Sequence, residues 1–292
     1  IAGTATVLTT LNCTMSIRIN RGVDMAEKKD SSLNMKRRDF TKLGLGALGL
    51  GVLGMAGCKT ESTSYTEIVS QTKIDGSKHW AMAIDVEKLN KLGVLDDMIA
   101  TCHEEHNVPH IEDTKREIKW IWGDTYEHLF EDMENEFNSE TVKQLEFPAL
   151  CNHCEEPPCC RACPTEATFQ RADGIVTMDY HRCIACRFCI AACPYGARSL
   201  NYSDPRKYMD HINPNYPTRS KGVVEKCTFC YERIDKGEAP LCVEKSKGTV
   251  VFGDLNDENS DVCKALKGAF SIRRRVELGS GPSVYYIIKA GE

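Results

Sequence analysis

The sequence predicts an α+β protein in which a βαββαβ unit occurs twice. The 292-residue chain is 41% hydrophobic and 27% charged, an ordinary globular composition with enough apolar residues for a core. It nevertheless contains 16 cysteines, and twelve of them fall in short runs with two-residue gaps or a Cys-Pro end. Short segments with strand composition precede and separate these runs, as a repeated βαββαβ unit requires.

Cysteine spacing indicates metal binding rather than disulfides, because two-residue gaps suit the ligands of one metal centre and not the stapling of loops. The formal net charge is −5 and the pI is about 6.0, so the chain lacks the basic patch that nucleic acid requires. The sequence contains no nucleotide-binding glycine loop, no Ser-His-Asp signature and no molybdenum or flavin motif. We therefore expect electron transfer rather than substrate turnover, and no nucleic-acid partner.

The N-terminal region predicts export. Residues 36–42 (Lys-Arg-Arg-Asp-Phe-Thr-Lys) are typical of a twin-arginine signal and precede an apolar, glycine-rich stretch at 43–57. That stretch is shorter than the about 20 apolar residues that span a bilayer. We interpret 35–57 as a removable signal that places the folded chain in the periplasm or on the outer face of the cytoplasmic membrane. Residues 1–34 are interpreted as a leader without function and 58–78 as a linker.

Cys58 ends a Leu-Gly-Met-Ala-Gly-Cys segment that is similar to a lipoprotein cleavage site. Acylation there would add a lipid anchor to the exported chain. Met55 is not the commonest residue at its position in such a site, so a lipidated and an unmodified Cys58 stay open as alternatives.

Export of an already folded protein also suits a chain whose cofactors are inserted before export.

The strongest motif is the run at residues 183–194, which has the cysteine spacing of bacterial ferredoxins. In that spacing three thiolates hold one [4Fe–4S] cluster, and the fourth, followed by proline, ligates the neighbouring cluster. Residues 151–164 repeat the unit with a wider second gap, and 174–179 between them have the composition of a short strand. Because each run gives its last cysteine to the cluster of the other run, the spacing predicts two sets of four ligands, which we call the first set and the second set. These are Cys151, Cys154, Cys159 and Cys193, and Cys183, Cys186, Cys189 and Cys163, respectively.

One cysteine of these runs is left over. Only Cys159 keeps the three-residue gap to Cys163, so Cys160 is interpreted as a buried small hydrophobe. Zinc is the alternative metal for pairs of cysteines two residues apart. It requires closed groups of four ligands, which two interleaved runs that each end in Cys-Pro do not form. Iron–sulfur clusters are therefore favoured over zinc.

A third run is incomplete. Cys227, Cys230 and Cys242 follow the pattern, but Ser246 stands where the fourth cysteine is expected. The run alone therefore supplies three thiolates, one fewer than a [4Fe–4S] cluster takes.

A fourth run, near the start of the mature chain, is more degenerate. Residues 79–88 have the composition of the strand that leads into such a run. Leu89, Leu92 and Leu95 then occupy the positions of the expected cysteine triple, and only Cys102 follows.

The runs between residues 151 and 242, with 233–237 (Arg-Ile-Asp-Lys-Gly) and 252–257 (Phe-Gly-Asp-Leu-Asn-Asp), resemble the four-cluster iron–sulfur subunits of the dimethyl-sulfoxide-reductase, polysulfide-reductase and NrfC-like family. The resemblance covers about residues 79–260 and implies a duplicated bacterial-ferredoxin fold with long loops around the clusters. Its implied parts are a two-cluster module at 151–200, a one-cluster module at 79–103 plus 220–255, a helical insertion at 104–150 and a C-terminal tail at 261–292.

In that family the first run pairs with the last, and each cluster takes three ligands from one run and one from the other. The resemblance therefore implies that all the missing ligands belong to one absent cluster. The remaining cysteines form a complete third set, which consists of Cys102, Cys227, Cys230 and Cys242. Three [4Fe–4S] clusters on twelve cysteines are expected, with Leu89, Leu92 and Leu95 filling the vacated cavity.

The segment from Glu104 to Glu146 has 13 acidic and 4 basic residues, a local net charge of −9. It also carries Trp120, Ile121, Trp122, Tyr126, Leu129 and Phe130. Two interpretations stay open. The aromatic residues either form a docking surface for a basic partner, or pack on their own domain while the acidic face is solvated.

Two smaller features have simple interpretations. His103, His106 and His110 lie near Cys102, but no further ligands accompany them, so we expect surface or loop positions. The segment 285–288 (Tyr-Tyr-Ile-Ile) after three arginines at 273–275 is expected to form a terminal strand against the core rather than a membrane contact.

Within the family, the loss of one cluster, the Trp120–Trp122 insertion and the leader most resemble the exported subunits of Dsr transmembrane complexes of sulfur metabolism. This resemblance implies an NrfD-like, quinone-interacting integral membrane subunit and a multihaem cytochrome c as partners. The alternatives are the electron-transfer subunit of an exported oxidoreductase with a molybdopterin catalytic subunit, linked to polysulfide, tetrathionate or nitrite, and a free soluble ferredoxin. Cluster potentials span about −700 to +450 mV, so the sequence leaves the direction of electron flow open.

Overall fold

The computed structural model describes residues 78–288. These residues form small sheets and short helices, which confirms the predicted α+β class. The leader, the twin-arginine signal, Cys58 and most of the linker lie outside the described residues. Within 78–288, no helix combines the length and apolar composition needed to cross a membrane.

The strands are β1 (Trp80–Asp85), β2 (Ile121–Thr125), β3 (Glu146–Leu150), β4 (Thr168–Gln170), β5 (Val176–Met178), β6 (Ser199–Leu200), β7 (Val224–Glu225), β8 (Val250–Asp254), β9 (Ser271–Ile272) and β10 (Val284–Ile287). The α-helices are α1 (Val86–Leu92), α2 (Leu95–Glu105), α3 (Tyr126–Leu129), α4 (Glu140–Lys143), α5 (Pro158–Arg161), α6 (Phe188–Ala192), α7 (Tyr231–Ile234), α8 (Leu241–Lys245) and α9 (Asp261–Lys267). Short 3₁₀ turns lie at Glu131–Met133, Pro205–Tyr208 and Val276–Leu278.

The largest sheet joins the two ends of the described chain in the order β8-β1-β10-β9. Strand β1 runs antiparallel to β8 and parallel to β10, with Met82 opposite Phe252 on one side and Val284 on the other. Residues 81–84 of β1 are buried on both faces, as expected for a central strand that is apolar throughout. The early and late parts of the chain therefore form one unit.

The C-terminal segment is not a tail. Helix α9 packs on β8, and β10 lies in the centre of the largest sheet, so the expectation of a tail at 261–292 is wrong for the described part. The physical reason is burial of apolar surface, since Val284, Tyr286 and Ile287 are all in the core. The expected terminal strand at 285–288 is confirmed as β10.

The two-cluster region is organised around short antiparallel pairs. Strands β4 and β5 form a hairpin, which confirms a strand within 174–179, and β6 pairs with β7. Along the chain α5, β4, β5, α6 and β6 follow one another. This is the helix–strand–strand–helix–strand order of a ferredoxin unit, and its loops and short helices contain the cysteine runs.

The insertion is built on a strand pair rather than on helices. Strands β2 and β3 pair antiparallel from Ile121–Leu150 to Thr125–Glu146, and only short helical turns lie between them. Trp120, Tyr126 and Phe130 are buried and Trp122 is half-buried, which favours the interpretation that these rings pack on their own domain. Large aromatic rings gain more free energy from packing on their own domain than from exposure, while the acidic side chains stay in water.

Two of the three leucines that replace the cysteine triple lie in the core. Leu89 and Leu95 are buried there together with Met98. Leu92 is 46% exposed, so the expectation that it fills a cavity is wrong. Helix α1 ends at Gly93, whose φ of 58° turns the chain in a left-handed conformation and brings Leu95 rather than Leu92 onto the core.

Candidate iron–sulfur centres

The third set of cysteines converges although its members lie far apart in the sequence. Cys102 lies on α2 and Cys242 on α8, and these two helices pack against each other. Cys227 and Cys230 lie in the loop after β7, and all four thiols are buried. Burial, and then the nearby charges of the other three thiolates, raise the pKa of Cys102 well above its usual value. The structure therefore places Cys102 beside the three late cysteines.

The first set surrounds a common space. Cys151, Cys154, Cys159 and Cys193 line one small cavity, together with Val176, Tyr195 and Arg198 among others. Burial, and then the charges of Cys151 and Cys159, raise the pKa of Cys154 to about 12. Four thiols facing one cavity are the donor set of a [4Fe–4S] cluster, so the residues fit the group that the spacing predicts. Cluster assembly would replace the thiol protons with iron.

The second set lies closest to solvent. Cys189 is buried on α6, and its raised pKa has burial as its main cause, with the charges of Cys159 and Cys163 adding to it. Cys163, Cys183 and Cys186 are half-buried. The exposed side chains of Ile184 (63% exposed) and Phe188 (59%) flank these ligands. A cluster held here would therefore be the most accessible to another redox protein.

The three ligand loops share one unusual backbone feature. In the first Cys-x-x-Cys segment of each run the residue before the second cysteine has a positive φ, which is 39° at His153, 60° at Ala185 and 57° at Phe229. None of these residues is glycine, so each conformation costs about 1–3 kcal/mol. The rings of His153 and Phe229 stack with centroids 3.7 Å apart, which joins the loops of the first and third sets. The same local geometry at the same position identifies the loops as repeats.

Ser246 has a structural role at the position of a missing cysteine. Its side chain is buried, and its Oγ donates to the carbonyl oxygen of Val243 at 2.6 Å and accepts from the backbone N–H of Val250 at 3.2 Å. These bonds fix the turn between α8 and β8. The hydroxyl group is therefore used by the fold and does not belong to any of the three thiol sets.

The histidines near Cys102 differ in their environments. His106 lies in the turn after α2, as the loop alternative predicts, but it is buried rather than at the surface, while His110 is exposed. The Nδ1 of His106 donates to the carbonyl oxygen of Cys102 at 2.8 Å, and its Nε2 lies 2.9 Å from Glu232 Oε1. His106 follows Cys102 by four residues, about one helical turn, so the sequence spacing could have indicated this contact. Burial lowers the pKa of His103 to about 4, so that imidazole is neutral at pH 7.

His106, Glu232 and Cys230 place one potential ligand atom each within 4.8 Å of one another. Because Cys230 belongs to the third set, we assign His106 and Glu232 to the surroundings of that centre rather than to a separate metal site.

Cys160 is half-buried, so it is not the fully buried hydrophobe that the sequence predicts. A hydrogen bond from its thiol to Cys159, and then the charge of Arg198, lower the pKa of Cys159 to about 5 although burial acts in the opposite direction. Cys160 packs against the core cluster that contains Cys159.

The comparisons with known proteins agree with this arrangement. A family model described as "4Fe-4S dicluster domain" matches residues 142–208, which contain the first and second sets. The "Hdr-like menaquinol oxidoreductase iron-sulfur subunit 1" of Archaeoglobus fulgidus is 38% identical over 282 residues, covering 88% of this chain and 100% of the relative. The "Menaquinone reductase, iron-sulfur cluster-binding subunit" of Nitratidesulfovibrio vulgaris is 35% identical over 234 residues, 71% of this chain and 88% of the relative.

A third relative is a putative dimethyl sulfoxide reductase iron–sulfur subunit of Halobacterium salinarum, 38% identical over 188 residues that cover 64% of this chain and 71% of the relative. The names of all three relatives describe iron–sulfur subunits of oxidoreductases. The match over the full length of the first relative shows the family. The chain belongs to the family of iron–sulfur electron-transfer subunits that carry a 4Fe-4S dicluster domain.

Proposed function

We propose that this chain is a DsrO-like subunit that relays electrons through three [4Fe–4S] clusters. One partner is an NrfD-like membrane subunit that exchanges electrons with quinone, and the other is a multihaem cytochrome c. The observation that carries the proposal is the convergence of Cys102 with Cys227, Cys230 and Cys242, while Leu89 and Ser246 are built into the fold. This combination fits three clusters and the loss of a fourth.

The ligand sets differ in their access to partners. When bound, each cluster supplies one-electron transfer. The third set is buried, and the second set is half-buried beside Ile184 and Phe188. Exposed apolar side chains next to a redox centre are typical of a transient protein contact, where they exclude water. We assign the exchange with one partner to this face of the second set.

The quinone side of the proposal has support from the relatives. Two of them carry menaquinol or menaquinone in their names, and one of these matches over its full length. We infer that the membrane partner of this chain exchanges electrons with a quinone of this class.

A second candidate is the electron-transfer subunit of an exported molybdopterin oxidoreductase. A tetrathionate reductase subunit of Salmonella typhimurium is 37% identical over 153 residues. That match covers 51% of this chain, against 88% for the menaquinol oxidoreductase relative, so we favour the first proposal.

The test is purification of the native membrane complex through an affinity tag on this chain. We expect an NrfD-like protein and a haem c protein to copurify, with menaquinol reducing the clusters and the haems. A tag on the same chain that instead recovers a molybdopterin subunit without haem c would overturn the Dsr-type assignment. Addition of the oxidised quinone is the control for electron input.

Export is a separate part of the proposal. Changing Arg37 and Arg38 together to lysine is expected to leave the folded, cluster-containing protein in the cytoplasm, because the export machinery reads the arginine pair. The matched control is the double change of Arg18 and Arg21 to lysine, which lies in the leader and should not affect export. Immunoblots of periplasmic, membrane and cytoplasmic fractions measure the distribution. Normal appearance of the Arg37/Arg38 variant outside the cytoplasm would refute the signal.

A further inference from the structure

Two cations are buried next to the first set without a carboxylate partner. The side chains of Arg198 and Lys226 are 4% and 1% exposed. Within residues 78–288 neither forms a salt bridge, whereas the equally buried Arg219 pairs with Glu225 at 2.6 Å. Burying a charge without an opposite charge is unfavourable by several kcal/mol. These two positions therefore favour an anion nearby, and no carboxylate within residues 78–288 supplies it.

Arg198 points its charge at a cluster ligand. Its Nη2 donates to Cys159 Sγ at 2.9 Å, and its Nη1 donates to Thr168 Oγ1 at 3.1 Å and to Met178 Sδ at 3.4 Å. The guanidinium group also lines the cavity that the first set surrounds. The same side chain also interacts with Cys189 of the second set.

Lys226 lies between a residue of the first-set cavity and a residue of the third set. Its Nζ donates to the carbonyl oxygens of Val176, which lines the cavity, and of Cys227, which belongs to the third set. The bond to Cys227 is 2.7 Å long, and both acceptors are neutral. The ammonium group is thereby held in place, and its charge is not neutralised by its hydrogen-bond partners.

We propose that Arg198 and Lys226 are the fixed counter-charges of the cluster in the first set and raise its reduction potential. Four thiolates around a [4Fe–4S] core have a net negative charge, and reduction adds one more electron. A nearby positive charge in a site of low dielectric constant stabilises the reduced form more than the oxidised form. Arg198 adds a charged hydrogen bond to a ligand sulfur, which acts in the same direction. This inference rests on the presence of clusters and not on the identity of the partners.

The test is a redox titration of the purified protein with its clusters, monitored by EPR. Arg198→Gln is expected to lower the midpoint potential of the first-set cluster most, because Arg198 donates directly to Cys159. A smaller fall is expected for the second-set cluster, since Arg198 also interacts with Cys189, and the third-set cluster should stay near its wild-type value. We expect about a tenfold fall in the ratio of reduced to oxidised cluster at the wild-type midpoint, which for a one-electron couple is about 59 mV. Arg198→Lys keeps the charge and should stay closer to wild type. Lys226→Gln should lower the potential of the same cluster.

The matched control is Arg161→Gln on α5, because this arginine is solvent-exposed and already pairs with Glu156. It should not shift any potential. Equal shifts in Arg198→Gln and Arg198→Lys would show a packing effect and overturn the proposal, as would wild-type potentials in Arg198→Gln. If Arg198→Gln does not retain iron, Arg198→Lys is the deciding variant. A wild-type iron content and potential in Arg198→Lys support the proposal. A wild-type iron content with a lowered potential in that variant contradicts it. Iron content and copurifying partners test the proposed function separately.

Discussion

Cys102→Ala is expected to remove or convert one cluster and to leave the two clusters of residues 151–193 intact. Cys102 lies 125 residues before Cys227, and the structure nevertheless places its buried thiol beside the three late cysteines. A cluster with three thiolates loses one iron or is not assembled, because a [4Fe–4S] core takes four cysteine ligands. The measurement is iron and sulfide content together with EPR of the reduced protein.

Two matched variants separate ligand loss from general damage. Cys263→Ala removes another buried thiol, whose sulfur contacts the carbonyl oxygen of Leu255 at 3.5 Å and belongs to none of the three sets. It should leave iron content unchanged. Ser246→Cys should add no iron, since Leu89, Leu92 and Leu95 supply no thiolates for the absent cluster. Three unaltered clusters in Cys102→Ala would mean that a different group completes the third set, and the pairing of first and last runs would be abandoned.

Arg219→Met is expected to lower the free energy of unfolding by about 3–5 kcal/mol, because it leaves the carboxylate of Glu225 buried without its cation. Both side chains are fully buried, and Arg219 Nη2 lies 2.6 Å from Glu225 Oε2. Trp120 Nε1 donates to the same carboxylate oxygen at 3.0 Å, and Arg219 Nη2 donates to the carbonyl oxygen of Asn107 at 2.7 Å. This network joins the insertion to β7, the strand that leads into the third set.

Thermal unfolding of the protein with its clusters, under anaerobic conditions, measures the effect. A loss of this size corresponds to a fall of roughly 6–20 °C in the unfolding temperature. The control is Arg206→Met, which removes an exposed pair with Asp204 and should cost at most about 1 kcal/mol. Equal unfolding temperatures for the two variants would show that the buried pair does not stabilise the fold.

Most of the ligands of the site could be predicted from the cysteine spacing. The run at 183–194 predicts both the metal and the exchange of the fourth ligand, because that spacing places three thiolates around one cubane. Cys102 has no local signal and was assigned only through the resemblance to a family. The pairing of β8 with β1 in the largest sheet explains why Cys102 lies near the last run. Helix α2, which carries Cys102, comes soon after β1 in the chain, and α8, which carries Cys242, comes just before β8.

Other features had no usable sequence signal. The left-handed residues His153, Ala185 and Phe229 are not glycines, so nothing in their type indicates a positive φ. Arg198 and Lys226 belong to residue types that are rarely buried, so their burial beside the ligands was not expected. A buried basic side chain is stable only next to an anion, and the identity of that anion depends on tertiary structure.

The burial of the aromatic residues in the acidic insertion could not be predicted from composition alone. Trp120 and Trp122 are adjacent members of one pattern, yet Trp120 is buried against Arg219 while Trp122 is half-buried beneath Lys119. Docking and packing predict the same residue types, and only the position of the strand pair decides between them. Leu89 and Leu92 are likewise the same residue type in one pattern. Their different burial could not be predicted before the end of α1 at Gly93 was known.

The most direct test of the central claim is the number of clusters in the wild-type protein, purified anaerobically after full reconstitution. Three clusters of four iron atoms give about twelve iron and twelve sulfide per chain. Iron and acid-labile sulfide assays, with protein concentration from amino-acid analysis, measure the content, and Mössbauer spectra of iron-57-labelled protein show whether all of the iron is in [4Fe–4S] form. About twelve of each per chain are expected. A value near sixteen would restore the fourth cluster and contradict the pairing of Cys102 with the last run, and a value near eight would leave the third set without a cluster.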